Sequence, residues 1–184
     1  TENWLEEMLQ LCQQKDVGMV GAKLYYPDDT IQHAGVVVGL GGVAAHVLCK
    51  LPRDAEGYMG RLRCVQEISA VTAACMMVKT SVFKAVGGFD EELKVAFNDI
   101  DLCMKVRKYG VKIVFTPYAE LYHYESKSRG MEDTPEKQLR FSREVNCFRR
   151  KWERELLKGD PYYNPNLTLN NTDCSLRKQE KNGD

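Results

Sequence analysis

Asp99 is the residue of this chain best placed to move a proton. The run Phe97-Asn98-Asp99-Ile100-Asp101-Leu102-Cys103-Met104-Lys105-Val106-Arg107-Lys108-Tyr109-Gly110 reads as one helix. Asn98 serves as its N-cap and Gly110 is placed to end it in a left-handed turn. At 3.6 residues per turn, Leu102, Cys103, Val106 and Tyr109 form the inward stripe, and Asp99 shares that face. Asp101 turns toward water, four residues before Lys105. A helix-dipole role is worth about 0.3–1 kcal/mol and would suit Asp101 as well as Asp99. It would not need the inward face. An acid facing a core or cleft is instead a candidate general base.

His123 is the second candidate. It closes an apolar strand and is followed by the polar segment Tyr124-Glu125-Ser126-Lys127-Ser128-Arg129-Gly130, expected to be flexible. There an imidazole can reach a metal or a phosphate, and it suits Mn²⁺ better than Mg²⁺. His33 and His46 lie on or beside a glycine-rich hairpin and read as structural. Gly39-Leu40-Gly41-Gly42-Val43-Ala44 fits the spacing G-x-G-x-x-A. A dinucleotide site needs a full helix next and an acid about 20 residues on, and Pro52 arrives too early for that helix. A glycine hairpin is the better reading.

The elements that must position these groups form an α/β chain with a mixed sheet flanked by helices. Trp4 to Gln14 is helical, with Leu5, Met8, Leu9 and Cys12 on one face. Val17 to Ala22 starts a strand, and Lys23 to Tyr26 runs into the turn Pro27-Asp28-Asp29. Ile31 to Leu40 is a second extended run, and Val43 to Leu48 pairs back on it across Gly41-Gly42. Pro52 to Gly60 is loop. Val65 to Lys79 is extended, with Ala73 to Val78 as a buried strand. A short helix, Ser81 to Val86, stops at Gly87-Gly88. After the Asp99 helix come strands Lys112 to Phe115 and Ala119 to Tyr124, parted by Thr116-Pro117. Thr134 then caps a long helix with Pro135 at its first position and Phe141, Val145, Phe148 and Trp152 buried. Its polar side, with Arg140, Arg143, Arg149, Arg150 and Arg154, reads as a solvated face, with phosphate or lipid headgroups as the alternative. Residues 1–158 make the main domain. Residues 159–184 form an extended C-terminal tail, with 177–184 expected to be disordered.

Composition narrows the function. At 184 residues the chain is one domain or a large part of one. Its 26 Lys and Arg match its 26 Asp and Glu, so no global charge points to nucleic acid. No run approaches the roughly 18–20 apolar residues of a membrane span, and no signal peptide is visible. Seven cysteines without a Cys-x-x-Cys pair argue against a disulfide framework or structural zinc and fit a reducing cytosol. Two glycosylation sequons, at Asn166 and Asn170, read as coincidence.

The residues together resemble a known family. Asn98-Asp99-Ile100-Asp101-Leu102-Cys103, preceded by Gly87-Gly88-Phe89-Asp90-Glu91 and followed by Tyr122-His123, looks like the second half of a bacterial family 2 glycosyltransferase of GT-A fold. Trp4-Leu5-Glu6-Glu7-Met8 looks like the helix after that family's metal-binding Asp-x-Asp. Gly21-Ala22-Lys23-Leu24, Ile31-Gln32-His33-Ala34-Gly35 and Val71-Thr72-Ala73-Ala74-Cys75 match its middle strands. Asp160-Pro161-Tyr162-Tyr163-Asn164-Pro165-Asn166-Leu167 is similar to the close of a subgroup of large cell-surface polysaccharide and O-antigen enzymes.

The resemblance implies an inverting transferase of hexosyltransferase type, moving a sugar from a nucleotide-sugar donor to a polysaccharide or glycan acceptor. Asp99 would be the base and His123 would join a donor-bound Mn or Mg ion. Gly87, Gly88, Phe89, Asn98 and Asp101 would line the cleft. Asn98 stands where many members have Glu. The nucleotide-binding half with its Asp-x-Asp has no counterpart here, and Asp28-Asp29-Thr30, in a turn, is no substitute. That implies a truncated, acceptor-side half, inactive alone, cytoplasmic at the inner face of the membrane, and a homodimer through its exposed sheet. The competing classes are a non-catalytic carbohydrate-binding or scaffold module and a nucleotide-dependent oxidoreductase.

Overall fold

A computed structural model describes residues 1–124 and 134–178. Strand β1 (Val17–Tyr25) is the spine, with every residue buried. Its even positions, Val20, Ala22 and Leu24, pack with Met8 and Cys12 of helix α1 (Trp4–Cys12). Met19 and Tyr25 join the larger core on the opposite face. A strand covered on both faces cannot alternate polar and apolar residues, which is why this one reads as a continuous apolar run. The buried stripe of α1 is Met8 and Cys12, with Trp4 and Leu11 packed partly against it. Leu5 and Leu9, expected inward, are exposed.

Parallel to β1 runs β7 (Lys112–Tyr122), and the antiparallel β2 (Ile31–His33), β5 (Gln66–Glu67) and β6 (Met76–Val78) complete a mixed sheet. The order is β2-β1-β7-β5, with β6 on β1. Two strands were expected where β7 is one. Its pairing jumps from Ala22↔Thr116 to Lys23↔Glu120, so Pro117, Tyr118 and Ala119 bulge out and the strand resumes. Proline lacks the N–H a ladder needs, and a bulge accommodates it. The second extended run is likewise divided. Gly35, at φ 106°, turns the chain out of β2 into β3 (Val36–Val38), which forms a separate hairpin with β4 (Ala44–His46). The glycine hairpin reading is thus correct, and Gly39, Gly41 and Gly42 all have positive φ.

The stretch 65–79 differs most from expectation. Only β5 and β6 are strands, and Ala73 and Ala74 are exposed between them. This segment lies tight against β1: a Cβ on Gly21 would sit 2.3 Å from Val71 Cγ1. Glycine there lets the Val71–Cys75 turn approach the sheet.

Helix α2 (Thr80–Ala85) leads to the Gly87-Gly88 turn, and α3 (Asn98–Tyr109) packs on the larger core through Leu102, Cys103 and Val106. Tyr109, expected inward, is exposed. Thr134 caps α4 (Pro135–Lys151) by accepting from Lys137 N, and Trp152 separates it from α5 (Glu153–Lys158). Phe148 and Trp152 are buried as expected, whereas Phe141 is exposed. Residues 160–178 add no helix, but Tyr163, Leu167 and Cys174 are buried in the larger core. Asp160 fixes the segment's start, accepting from Val38 N at 2.8 Å and Ser69 Oγ at 2.6 Å. The expected flexible segment Tyr124 to Gly130, apart from Tyr124 itself, and the residues from 179 on lie outside the described residues.

Candidate active site

Asp99 occupies the first turn of α3, half-buried. The N-cap is Phe97 rather than Asn98, and Phe97 adopts a left-handed conformation (φ 62°, ψ 6°). Asn98 is the first helical residue, and its Oδ1 still serves the free N–H groups by accepting from Asp99 N at 2.7 Å. The Asp99 carboxylate accepts twice: Oδ1 from Ile100 N at 2.9 Å and Oδ2 from Ala73 N at 3.0 Å. Two backbone donors therefore fix its direction, and the exposed Ala73-Ala74 turn stands beside it. Cys103, one turn on, is fully buried; burial pushes its thiol well above the ordinary range, so it stays protonated and is no nucleophile.

Asp101 corrects the sequence reading. It is fully buried, and it faces neither water nor an open cleft. The covering elements are α4 and α5: Trp152 Nε1 donates to Oδ1 at 2.8 Å, Lys151 Nζ lies 2.7 Å from Oδ1, and Lys105 Nζ lies 2.9 Å from Oδ2. Both lysines reach further. Lys105 donates to the Gly88 carbonyl at 2.9 Å and Lys151 pairs with Asp90. Asp101 is thus the hub through which the Gly87-Gly88-Phe89-Asp90 turn is fastened to α3 and α4. Gly87 and Gly88 have φ of 79° and 65°, and Phe89 is exposed with its ring edge-on to Phe83.

Glu144 was missed in the sequence, where it reads as part of the polar side of α4. It is buried, and it accepts from Val95 N and Ala96 N, just ahead of Asp99. A carboxylate four residues after Arg140 was the available signal, but it also describes an ordinary surface pair (Arg140 Nε lies 3.7 Å away).

His123 follows β7, its backbone N–H donating to the Tyr25 carbonyl at 2.9 Å, and its Nδ1 is buried without a hydrogen-bond partner among the described residues. Asp99 and His123 are held by different partners but tied to one strand. The Asp99-bearing side reaches β1 through Cys75, whose carbonyl accepts from Ala22 N at 3.5 Å, and His123 meets β1 at Tyr25. These anchor points, Ala22 and Tyr25, are three steps apart along the strand, or about 10 Å. Among the described residues, no group of three or more His, Cys, Asp or Glu side chains is arranged to hold a metal ion. These residues alone do not make a metal site. Asp28 caps its own turn, accepting from Thr30 N and Oγ1, and Asp29 pairs with Arg53 at 3.1 Å. Asp28 thus serves its turn, and Asp29 ties that turn to Arg53 and to the Tyr122 hydroxyl.

His33 is a structural histidine of unusual environment. Its Nδ1 lies 3.0 Å from His46 Nδ1, so one ring donates and the other accepts. Complete burial, followed by the nearby charges of His46 and His123, pushes its pKa well below the ordinary 6.5. The folded ring stays neutral where the unfolded one takes up a proton. Stability is therefore expected to fall as pH drops through about 6.5, by up to about 1.4 kcal/mol per pH unit, until the folded ring itself protonates. Urea midpoints between pH 7.5 and 5 measure this slope, and His33→Gln should flatten it; an equal slope in the variant would assign it to other groups.

Comparison with known proteins identifies the family. Residues 1–144 match the sequence profile described as "Glycosyltransferase like family 2", and the chain belongs to that family. It is 58% identical over 175 residues to an uncharacterized protein of Sinorhizobium fredii, covering 95% of this chain and 19% of that protein. It is 39% identical over 183 residues to the O-antigen biosynthesis protein RfbC of Myxococcus xanthus, covering 99% of this chain and 14% of that protein. A shorter match, 36% over 62 residues, relates 34% of the chain to 20% of the N-acetylglucosaminyl-diphospho-decaprenol L-rhamnosyltransferase of Mycobacterium tuberculosis. The chain spans about a fifth or less of the length of these relatives.

Proposed function

We propose that the chain is the acceptor-side part of an inverting glycosyltransferase of GT-A fold, moving a sugar from a nucleotide-sugar donor to a polysaccharide or glycan acceptor. The observation that carries this reading is the Asp99 carboxylate, aimed by the Ala73 and Ile100 N–H groups beside an exposed turn at the start of α3. In the reaction, the acceptor hydroxyl oxygen attacks the anomeric carbon from the face opposite the diphosphate. The new C–O bond forms as the bond to the diphosphate oxygen breaks, and Asp99 receives the hydroxyl proton. Gly87, Gly88 and Phe89 would border the acceptor side, where exposed Phe89 offers a ring to a sugar face.

The donor half lies in sequence other than residues 1–184. A divalent ion, Mn or Mg, would neutralise the leaving diphosphate in the full-length enzyme. His123 Nδ1 would be one of its ligands, the remainder coming from outside this chain. The names of the O-antigen and rhamnosyl-transfer relatives support a glycan acceptor. Work at the cytoplasmic, inner face of a membrane is part of this proposal; no helix among the described residues is long and apolar enough to cross one. Association into a homodimer through the sheet belongs to the same proposal.

Calorimetry with UDP-, GDP- and dTDP-sugars plus Mn²⁺ tests the division of labour, alongside transfer assays on the full-length protein. Residues 1–184 alone should bind each only very weakly and transfer nothing, because Mn²⁺ and Mg²⁺ seek about six mostly oxygen ligands that the described residues do not gather. Micromolar binding by the chain alone would mean that the donor site is built within it. A full-length protein that binds glycan without turnover would make it a carbohydrate-binding module instead.

A further inference from the structure

Phe97 holds a backbone conformation that a bulky side chain rarely adopts, directly before the turn that carries Asp99. Such a residue persists only when its surroundings over-determine it, and here the surroundings come from α4. Glu144, 3% exposed, accepts from Val95 N through Oε1 at 3.1 Å and from Ala96 N through Oε2 at 2.9 Å. The Phe97 ring packs against Phe148 and Phe141, with centroids 5.4 and 5.8 Å apart. The Phe97 carbonyl then accepts from Asp101 N at 2.8 Å, opening the helical hydrogen bonds of α3.

We propose that Glu144 is a positioning residue for Asp99: by gripping the Val95 and Ala96 amides it holds the left-handed turn at Phe97, and so keeps the Asp99 carboxylate on the Ala73 N–H. The chemistry favours a carboxylate at this position. Two N–H donors on adjacent, half-buried residues are each met by one oxygen of the carboxylate; a carboxamide supplies one and leaves the other N–H facing its own NH₂ group. A purely local role would stop at residues 95–96. Positioning extends through Phe97 to a hydrogen bond on the far side of Asp99. This role rests on Asp99 being the base.

Amide hydrogen exchange on the ¹⁵N-labelled 184-residue chain separates the two. Ala73 is exposed, so its amide owes its protection to Asp99 Oδ2 and reports directly on where that carboxylate points. In Glu144→Gln, exchange at Val95, Ala96 and Ala73 should all accelerate tenfold or more, while the β1 amides of Val20 and Gly21 hold their rates. Acceleration at 95 and 96 with Ala73 unchanged would overturn the proposal and leave Glu144 an anchor of its own loop. Should β1 loosen as well, the decisive comparison is Glu144→Asp, which keeps the charge but withdraws it by one carbon: selective acceleration at Ala73 supports positioning, and an unchanged Ala73 rate overturns it. In the full-length enzyme, Glu144→Asp should lower kcat at least tenfold with the donor KM within twofold; an unchanged kcat overturns the proposal. Full activity in Asp99→Asn would instead overturn the reading of Asp99 as base, whatever the exchange rates show.

Discussion

Asp99→Asn in the full-length enzyme should lower sugar transfer by about 10²–10⁴-fold, the usual range for loss of a positioned general base, while donor binding persists. Asn is close in volume to Asp and keeps one acceptor oxygen, enough for Ala73 N or Ile100 N but not for both, so the substitution loosens one of the two hydrogen bonds that aim the side chain. It also removes the capacity to take a proton. The complementary variant, His123→Ala, should chiefly weaken binding of the metal–nucleotide pair, because its buried Nδ1 has no hydrogen-bond partner among the described residues and is free to take a ligand. Steady-state kinetics with donor affinity measured by calorimetry keeps these effects apart. Equal loss of donor affinity in both variants would contradict the division of roles, and a fully active Asp99→Asn would remove Asp99 from the chemistry.

Much of this arrangement was legible in the sequence because its signals are local. A helix closed by Gly110, a glycine hairpin at 39–42 and a Thr-Pro start at 134–135 each follow from residues within a few positions of one another. Asp99 could be placed on its helix face for the same reason. Asp101 could not. Its inward position depends on α4 and α5, some 50 residues later in the chain, which cover the side of α3 that a helical wheel assigns to water. Glu144 failed for the mirror-image reason, its two partners being backbone amides that leave no trace in side-chain pattern. The 65–79 stretch misled because apolar content alone does not distinguish a buried strand from a turn pressed onto one. Only Gly21, which makes room for Val71, hinted at the close approach.

The buried hub at Asp101 should also dominate stability. Asp101→Ala leaves Trp152 Nε1 without its acceptor, at a cost of about 1–3 kcal/mol for an unsatisfied buried donor, and strips Lys105 and Lys151 of their shared partner. Breaking a buried pair typically costs about 3–5 kcal/mol because a charge is left uncompensated. Here the two lysine side chains are 18% and 32% exposed and can turn toward water, so the lower end applies. The expected loss is about 3 kcal/mol, or about 6–12 °C in Tm for a domain of this size. Asp101→Asn keeps an oxygen for Trp152 and gives up only the charge, so it should cost less than the alanine variant. Urea unfolding of the chain, with unchanged m-values, measures both. Because Lys105 also holds Gly88 and Lys151 also holds Asp90, the alanine variant should release the Gly87–Asp90 turn before the sheet unfolds, seen as faster amide exchange at Gly87 and Gly88. A loss below about 1 kcal/mol, with that turn still protected, would mean that α3 and α4 are held together by apolar packing alone and that the ion pairs at Asp101 offset only their own desolvation.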